Sequence, residues 1–128
     1  MQLASFTDYG LRILIKLSET PDKPQTTAAL AKALDVSYHH LAKVVLDLAR
    51  AGYITTRRGA TGGIQLARPA DKIKVGEVVR LLEQRFPVVE CFRTDGGKCT
   101  LSRSCHIRRS LAAAREAFIR ELNKTTIV

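Results

Sequence analysis

Residues 26–69 constrain this chain more than any other stretch: two short helical segments meet at a tight break, and a glycine-rich hairpin follows directly. The first segment, Thr27–Leu34, places Leu30, Ala31 and Leu34 on one face, and the preceding threonines Thr26 and Thr27 suit its N-cap. Asp35-Val36 breaks it. Ser37 then reads as the N-cap of a second helix, in which Leu41, Val44, Val45 and Leu48 recur at helical spacing before the stop at Gly52. Two helices joined by so short a turn form a helix-turn-helix pattern. Next, Tyr53–Thr56 and Ile64–Ala67 read as strands around the tip Arg57-Arg58-Gly59-Ala60-Thr61-Gly62-Gly63, and Pro69 closes the unit. A hairpin in that position is a wing.

The flanking segments complete the expected architecture. Residues 3–17 read as a helix with Leu3, Phe6, Leu11, Leu14 and Leu17 as its stripe, modestly weakened at Gly10. Residues 18–25, with two prolines, read as a loop. Residues 73–85 form a helix with Val75, Val78, Val79 and Leu82 facing inward; residues 86–100 are irregular. From about residue 105 to the end, Ile107, Leu111, Ala114, Phe118 and Leu122 step by three and four, the mark of a long helix. Little sequence is left to cover that stripe, so the helix is the expected dimerisation element. The fold class is therefore mainly α with a small β-hairpin: a winged helix-turn-helix domain (1–85), an irregular loop (86–106) and a long C-terminal dimerisation helix (107–128).

Charge points to the partner. A net charge of +9 on 128 residues, with a pI near 10.0, favours a polyanion: nucleic acid first, an acidic membrane surface second. The 45% hydrophobic share excludes a disordered tail protein. No run approaches the ~20 apolar residues of a spanning helix, so a transmembrane protein is excluded, and no signal peptide is evident, so the expected compartment is the cytoplasm. No nucleophile–base pair and no phosphate-cradling loop suggest an enzyme.

A helix in the major groove needs polar side chains on its outward face near its N-terminal end. Here these are Ser37, Tyr38, His39, His40 and Lys43. Lys43 reaches a phosphate or a guanine edge, and Tyr38 and the histidines have donors for either. Thr26 and Thr27, at a helix start, suit a backbone phosphate. The hairpin tip offers Arg57 and Arg58, with Gly62 and Gly63 permitting close approach to a sugar–phosphate wall. One such module buries too little surface for tight specific binding, so a homodimer on a palindromic double-stranded operator is expected.

The three cysteines follow the spacing Cys91-x7-Cys99-x5-Cys105. Structural zinc sites favour tighter pairs, and these gaps suit the larger inorganic core of an iron–sulfur cluster. Lys98, Arg103, Arg108 and Arg109 would offset an anionic cluster, and Gly96-Gly97 lets the loop wrap closely. Free structural thiols, a zinc site completed by His106, and a thiol-only redox sensor are the other readings that the spacing leaves open. Three cysteines leave one iron in need of a fourth ligand.

Taken together, the opening Met1–Arg12, the helix-turn-helix with its wing and the three late cysteines resemble the iron–sulfur winged-helix repressors of bacteria over essentially the whole chain. The segment Phe6–Arg12 is similar to the nitric-oxide-sensing branch of that family. The resemblance implies a homodimeric repressor with one 4Fe–4S cluster per subunit, 2Fe–2S being a degraded form. Its ligands would be Cys91, Cys99, Cys105 and Asp8 from the opposite subunit, with Arg12 holding or orienting Asp8. Nitric oxide would be the signal. The cluster-assembly branch places a histidine ligand where this chain has Arg108. The long first cysteine gap and Cys91-Phe92 resemble the iron-responsive branch instead, which implies iron as the alternative signal.

Overall fold

The computed structural model describes residues 1–101 and 103–128. In chain order these form α1 (Ser5–Ser18), α2 (Thr27–Leu34), α3 (Tyr38–Arg50), β1 (Ile54–Arg57), β2 (Gly63–Leu66), a 3-10 turn (Ala70–Lys72), α4 (Val75–Glu83), a second 3-10 turn (Glu90–Phe92) and α5 (His106–Leu122). The strands pair antiparallel, with Thr56 opposite Ile64 and Ile54 opposite Leu66.

The helix-turn-helix is built by its caps. Thr26 Oγ1 accepts the Ala29 N–H at 3.0 Å, so Thr26 is the N-cap of α2. At the other end, Asp35 adopts the left-handed conformation (φ 53°), Val36 N–H reaches back to the Ala31 carbonyl, and Asp35 N–H donates to that of Lys32. This is a Schellman closure made with an aspartate in place of glycine. Ser37 stands at the N-cap of α3, but its side chain makes no capping hydrogen bond; the expected position is right and the expected bond is not formed.

Leu41, Val44, Val45 and Leu48 are the buried face of α3, as their spacing predicts. They join Ile13, Leu14, Leu17, Leu30, Tyr53, Ile54, Ile64, Val78 and Leu82 in one core. Each fully buried Leu or Ile contributes roughly 1.5–3 kcal/mol. The stripe expected on α1 is rotated. Its buried residues are Thr7, Gly10, Ile13, Leu14 and Leu17, while Phe6 and Leu11 are only partly buried. The reason is that α1 packs on both α3 and α4. A Cβ on Gly10 would collide with Leu82 and press on Val44, so Gly10 is where α1 seats rather than a weak point.

The wing is anchored beyond its own two strands. Gln25, just before α2, exchanges both backbone hydrogen bonds with Ile64 (2.9 and 2.7 Å). Gly63 (φ 143°) lies flat against the Gln25 backbone, where a Cβ would be 2.7 Å from its carbonyl oxygen. Gly62 and Gly63 are thus required by how the wing folds.

The C-terminal helix differs from expectation at its end. It stops at Leu122, and the following residues turn back: Val75 N–H donates to Thr125, and Ile127 N–H to Ile73. Asparagine and β-branched threonines are poor helix residues, and here they form a strip against the start of α4. Within α5 only Ile119 is buried; Ile107 is 55% exposed, and Leu111, Phe118 and Leu122 are partly so. Packing against α4 is close where it occurs. Gly76 faces the Ile119 carbonyl and Asn123, and Arg80 forks onto Glu116 at 2.6 and 2.8 Å.

Two outcomes follow from this packing. Replacing Gly10 with valine should destabilise the fold by about 1–3 kcal/mol, read as a lower urea midpoint, because the buried Leu82 side chain must be displaced from its packing. The hydrogen bonds from Arg80 hold the Glu116 carboxyl below its ordinary value of 4.5. A carboxyl lowered by folding stabilises above its unfolded pKa and loses that contribution as pH falls through the folded one. Melting temperature should therefore drop on acidification below pH 4.5 less steeply in Glu116→Gln than in the native chain.

Candidate functional site

The fold gathers part of the expected nucleic-acid interface into one place. Thr26, Thr27, Tyr38, Arg57, Gly62 and Gly63 line a single open depression between the start of α2, the start of α3 and the wing. Tyr38 is 53% exposed and meets His39 edge to face, ring centroids 6.0 Å apart. Ser37, His39, His40, Lys43 and Arg58 lie outside that depression but are exposed on the same two elements, α3 and the wing. Among the described residues, Lys43, Arg57 and Arg58 enter no ion pair. Their charge is free for phosphates. Thr26 Oγ1 accepts the cap bond, which fixes the side chain and leaves its O–H free to donate toward a phosphate at the first turn of α2.

Sequence reading missed the supports of this surface. Arg68 lies 4.5 Å over the Tyr53 ring and donates to the Gly52 carbonyl at 3.2 Å, clamping the foot of the wing. Burial, chiefly, with Glu77 in support, raises the Tyr53 pKa, and Arg68 opposes the shift. The Gln25 bridge was also invisible, because a glutamine next to a proline carries no strand signal. Arg68 was open to discovery as a cation set two residues beyond a strand pair.

The second part of the site is the loop after α4. Cys91 and Cys105 are partly exposed, Cys99 is exposed, and all three are free thiols. The loop is folded by specific interactions. Glu90 Oε1 accepts Lys98 N–H at 3.0 Å, so the neighbours of Cys91 and Cys99 are hydrogen-bonded to each other. Gly97 (φ 63°) packs directly on the Glu90 backbone, leaving no room for a Cβ. Asp95 Oδ1 accepts Gly97 N–H at 2.9 Å and Asp95 Oδ2 pairs with Arg93 at 2.8 Å; these bonds, the first above all, hold its carboxyl below the ordinary range. Phe92 lies under two guanidiniums of α5, Arg115 at 4.7 Å and Arg108 at 6.0 Å. Arg108 thus has a packing partner that its sequence position did not reveal. Cys105 is the N-cap residue of α5.

The donor chemistry fits an iron–sulfur cluster: three unpaired thiols on one irregular, glycine-bearing loop. The structure does not draw them to one point. Among the described residues, no three His, Cys, Asp or Glu side chains converge to hold an ion. Asp8 sits on α1, partly exposed, with Arg12 Nη2 2.7 Å from Oδ2 and Arg12 Nε 3.2 Å from Oδ1. At that exposure such a pair is worth at most about 0.3–0.5 kcal/mol, weak enough to open. His106 opens α5 and is exposed.

A wing pinned to a helix-turn-helix, with unpaired cations on both, defines a winged-helix transcriptional regulator. The chain belongs to the Rrf2 family, described as iron-dependent transcriptional regulators, whose model matches residues 3–128. It is 41% identical over 128 residues to the HTH-type transcriptional regulator NsrR of Geobacillus kaustophilus, covering 99% of this chain and 87% of that protein. The NsrR of Halalkalibacterium halodurans is 38% identical, with 99% and 88% covered. Among solved structures, the global cysteine regulator CymR of B. subtilis superposes with a TM-score of 0.73 at 27% identity, covering 99% of this chain and 93% of that one. The family is one of regulators, not enzymes.

If Arg57 and Arg58 meet phosphates, replacing both with alanine should weaken binding to all DNA sequences alike. It should also reduce the slope of log affinity against log salt by about 0.9 for each phosphate no longer neutralised. Fluorescence anisotropy over a salt series reads both.

Proposed function

We propose that this chain is a homodimeric repressor whose affinity for a palindromic operator is controlled by an iron–sulfur cluster and relieved by nitric oxide. The observation that carries the reading is the pairing of two surfaces on one small fold: free cations on α3 and the wing, and three free thiols on the loop after α4. The identities of 41% and 38% to regulators named NsrR support nitric oxide as the signal.

In this reading residues 1–85 bind DNA, residues 86–106 form the sensing loop and residues 107–128 supply the dimer contact. Support for the last comes from the exposed Ile107 and the partly exposed Leu111 and Phe118 on α5. Cys91, Cys99 and Cys105 would hold a 4Fe–4S cluster, one per subunit, with Asp8 of the partner subunit as fourth ligand. When bound, the cluster supplies iron to which nitric oxide adds. Everything else is done by the chain. Arg12 holds both Asp8 oxygens and keeps the carboxylate oriented on the exposed side of α1. The Glu90–Lys98 bond and the Phe92 stack keep the loop folded against α5. Release of Asp8 from the loop would free one subunit's α1 from the other's loop and change the spacing of the two recognition helices. A coupling of a few kcal/mol suffices for such control.

A second reading, iron itself as the signal, is favoured by the seven residues between Cys91 and Cys99 and by the family's description as iron-dependent. Among the described residues, no helix is long and apolar enough to cross a membrane; the location proposed for this regulator is the cytoplasm.

The test is purification without oxygen, followed by titration with nitric oxide while operator retardation is measured. The expected result is a brown protein that bleaches and releases the operator. Retention under nitric oxide with release under iron chelation moves the signal to iron, and a colourless protein with stoichiometric zinc overturns the cluster. Any one of Cys91→Ser, Cys99→Ser or Cys105→Ser should lower iron content and cost about tenfold or more in operator affinity. Asp8→Ala should keep the visible colour and lose the normal response to the gas.

A further inference from the structure

Of all the carboxylates in ion pairs among the described residues, that of Asp47 is the least exposed, at 18%. Asp47 lies in the recognition helix α3, one turn beyond Lys43. Its partner is Arg85, whose Nη2 stands 3.0 Å from Oδ1 and 2.9 Å from Oδ2. Arg85 follows the end of α4 and precedes Phe86, where the cysteine loop begins.

The same guanidinium has other neighbours. It lies 5.3 Å from the centroid of the Phe6 ring, and Phe6 in turn meets Phe86 at 6.1 Å. Phe6 is two residues from Asp8 on α1. Arg85 also lines an open hollow whose far wall includes Arg93, Thr94 and Asp95, residues that lie between Cys91 and Cys99. One cation therefore meets the recognition helix and α1, immediately precedes the loop, and shares a hollow with the loop's middle.

We infer that Arg85 is a positioning residue that transmits the state of the cysteine loop to the recognition helix through Asp47. The inference rests on the reading of that loop as the sensing element. The physical argument is one of direction. The Arg85 side chain is 57% exposed, but its guanidinium is engaged by a largely shielded carboxylate and an aromatic ring, which bias its position. When residues 93–95 shift, the space and polarity around Arg85 change, and the cation moves with its carboxylate. Asp47 is fixed in the middle of α3, so the movement passes to the helix that carries Tyr38, His39, His40 and Lys43. Coupling of this kind is reciprocal: DNA on α3 must alter the loop to the same degree.

Reciprocity supplies the test, in protein free of metal. Reduced native chain is treated with iodoacetamide, and alkylation of Cys91 and Cys99 is timed with and without a duplex that the protein has selected from a random pool. The expected result is a change of about threefold or more in the native rates on adding the duplex. That change should vanish in Arg85→Gln and in Asp47→Asn and return at least in part in Arg85→Lys. Simple shielding of the thiols by DNA would persist in all variants. Persistence in Arg85→Gln and Asp47→Asn overturns the inference, and so does a native chain whose thiols ignore the duplex. Should Arg85→Gln fail to fold, Asp47→Asn gives the same reading from the other partner. The sensing role of the loop is judged separately, by whether cluster-loaded and metal-free native protein differ in operator affinity, so the two ideas fail independently.

Discussion

The missing side chain at Gly10 is the constraint on which the remaining architecture depends. It lets Leu82 of α4 and Val44 of α3 close on the same turn of α1. A helix so gripped sets both neighbours at once: the recognition helix and α4 meet on α1 at the same residue. The far end of α4 is then tied to the start of α1, where Glu83 accepts the Ala4 N–H at 2.8 Å. The cysteine loop departs from that end. The positions of the DNA-facing helix and of the loop are therefore both referred to α1, by the seat at Gly10 and by the Glu83–Ala4 hydrogen bond.

Charge is distributed to match. Between residues 26 and 63 the only acidic residues are Asp35 and Asp47, and Asp47 is neutralised by Arg85. Half of the other carboxylates (Asp8, Glu19, Asp95, Glu116 and Glu121) sit in ion pairs on α1 or just after it, on α5 or in the loop. These exposed pairs add little to stability. They take up negative charge outside α3 and the wing, and the excess of cations on those two elements favours the approach of a polyanion.

Sequence reading succeeded where one face alone meets the core. The four inward residues of α3 are those its period indicates, and the wing strands were placed within one residue of their bounds. It erred where a helix serves two neighbours. On α1 the buried stripe turned toward Ile13, and Gly10, read as a weakness, proved to be the seat of α4. The end of α5 escaped notice because the strip Thr125–Ile127 is held by hydrogen bonds to Ile73 and Val75, far earlier in the chain, which no local pattern encodes. The cysteines were legible as chemistry but not as geometry. Their loop is shaped by single interactions such as Glu90 to Lys98 and Phe92 to Arg115, and such interactions have no period. The same is true of Asp8, whose visible partner in this chain is its own neighbour one turn away.

The bridge between Gln25 and Ile64 gives the wing two regimes of tolerance to change in length. Its tip, residues 58–61, is exposed and, apart from the Gly62 to Gly59 turn, is not stitched to the body, so insertions there alter only how far the arm extends. Its foot is locked in register on both sides at once, by Thr56 on one edge and Gln25 on the other. A single residue added between 63 and 66 would turn Ile64 from the core to solvent and Gln65 inward. Related chains can thus vary the length of the arm to fit different grooves, while its root must keep the same residue count.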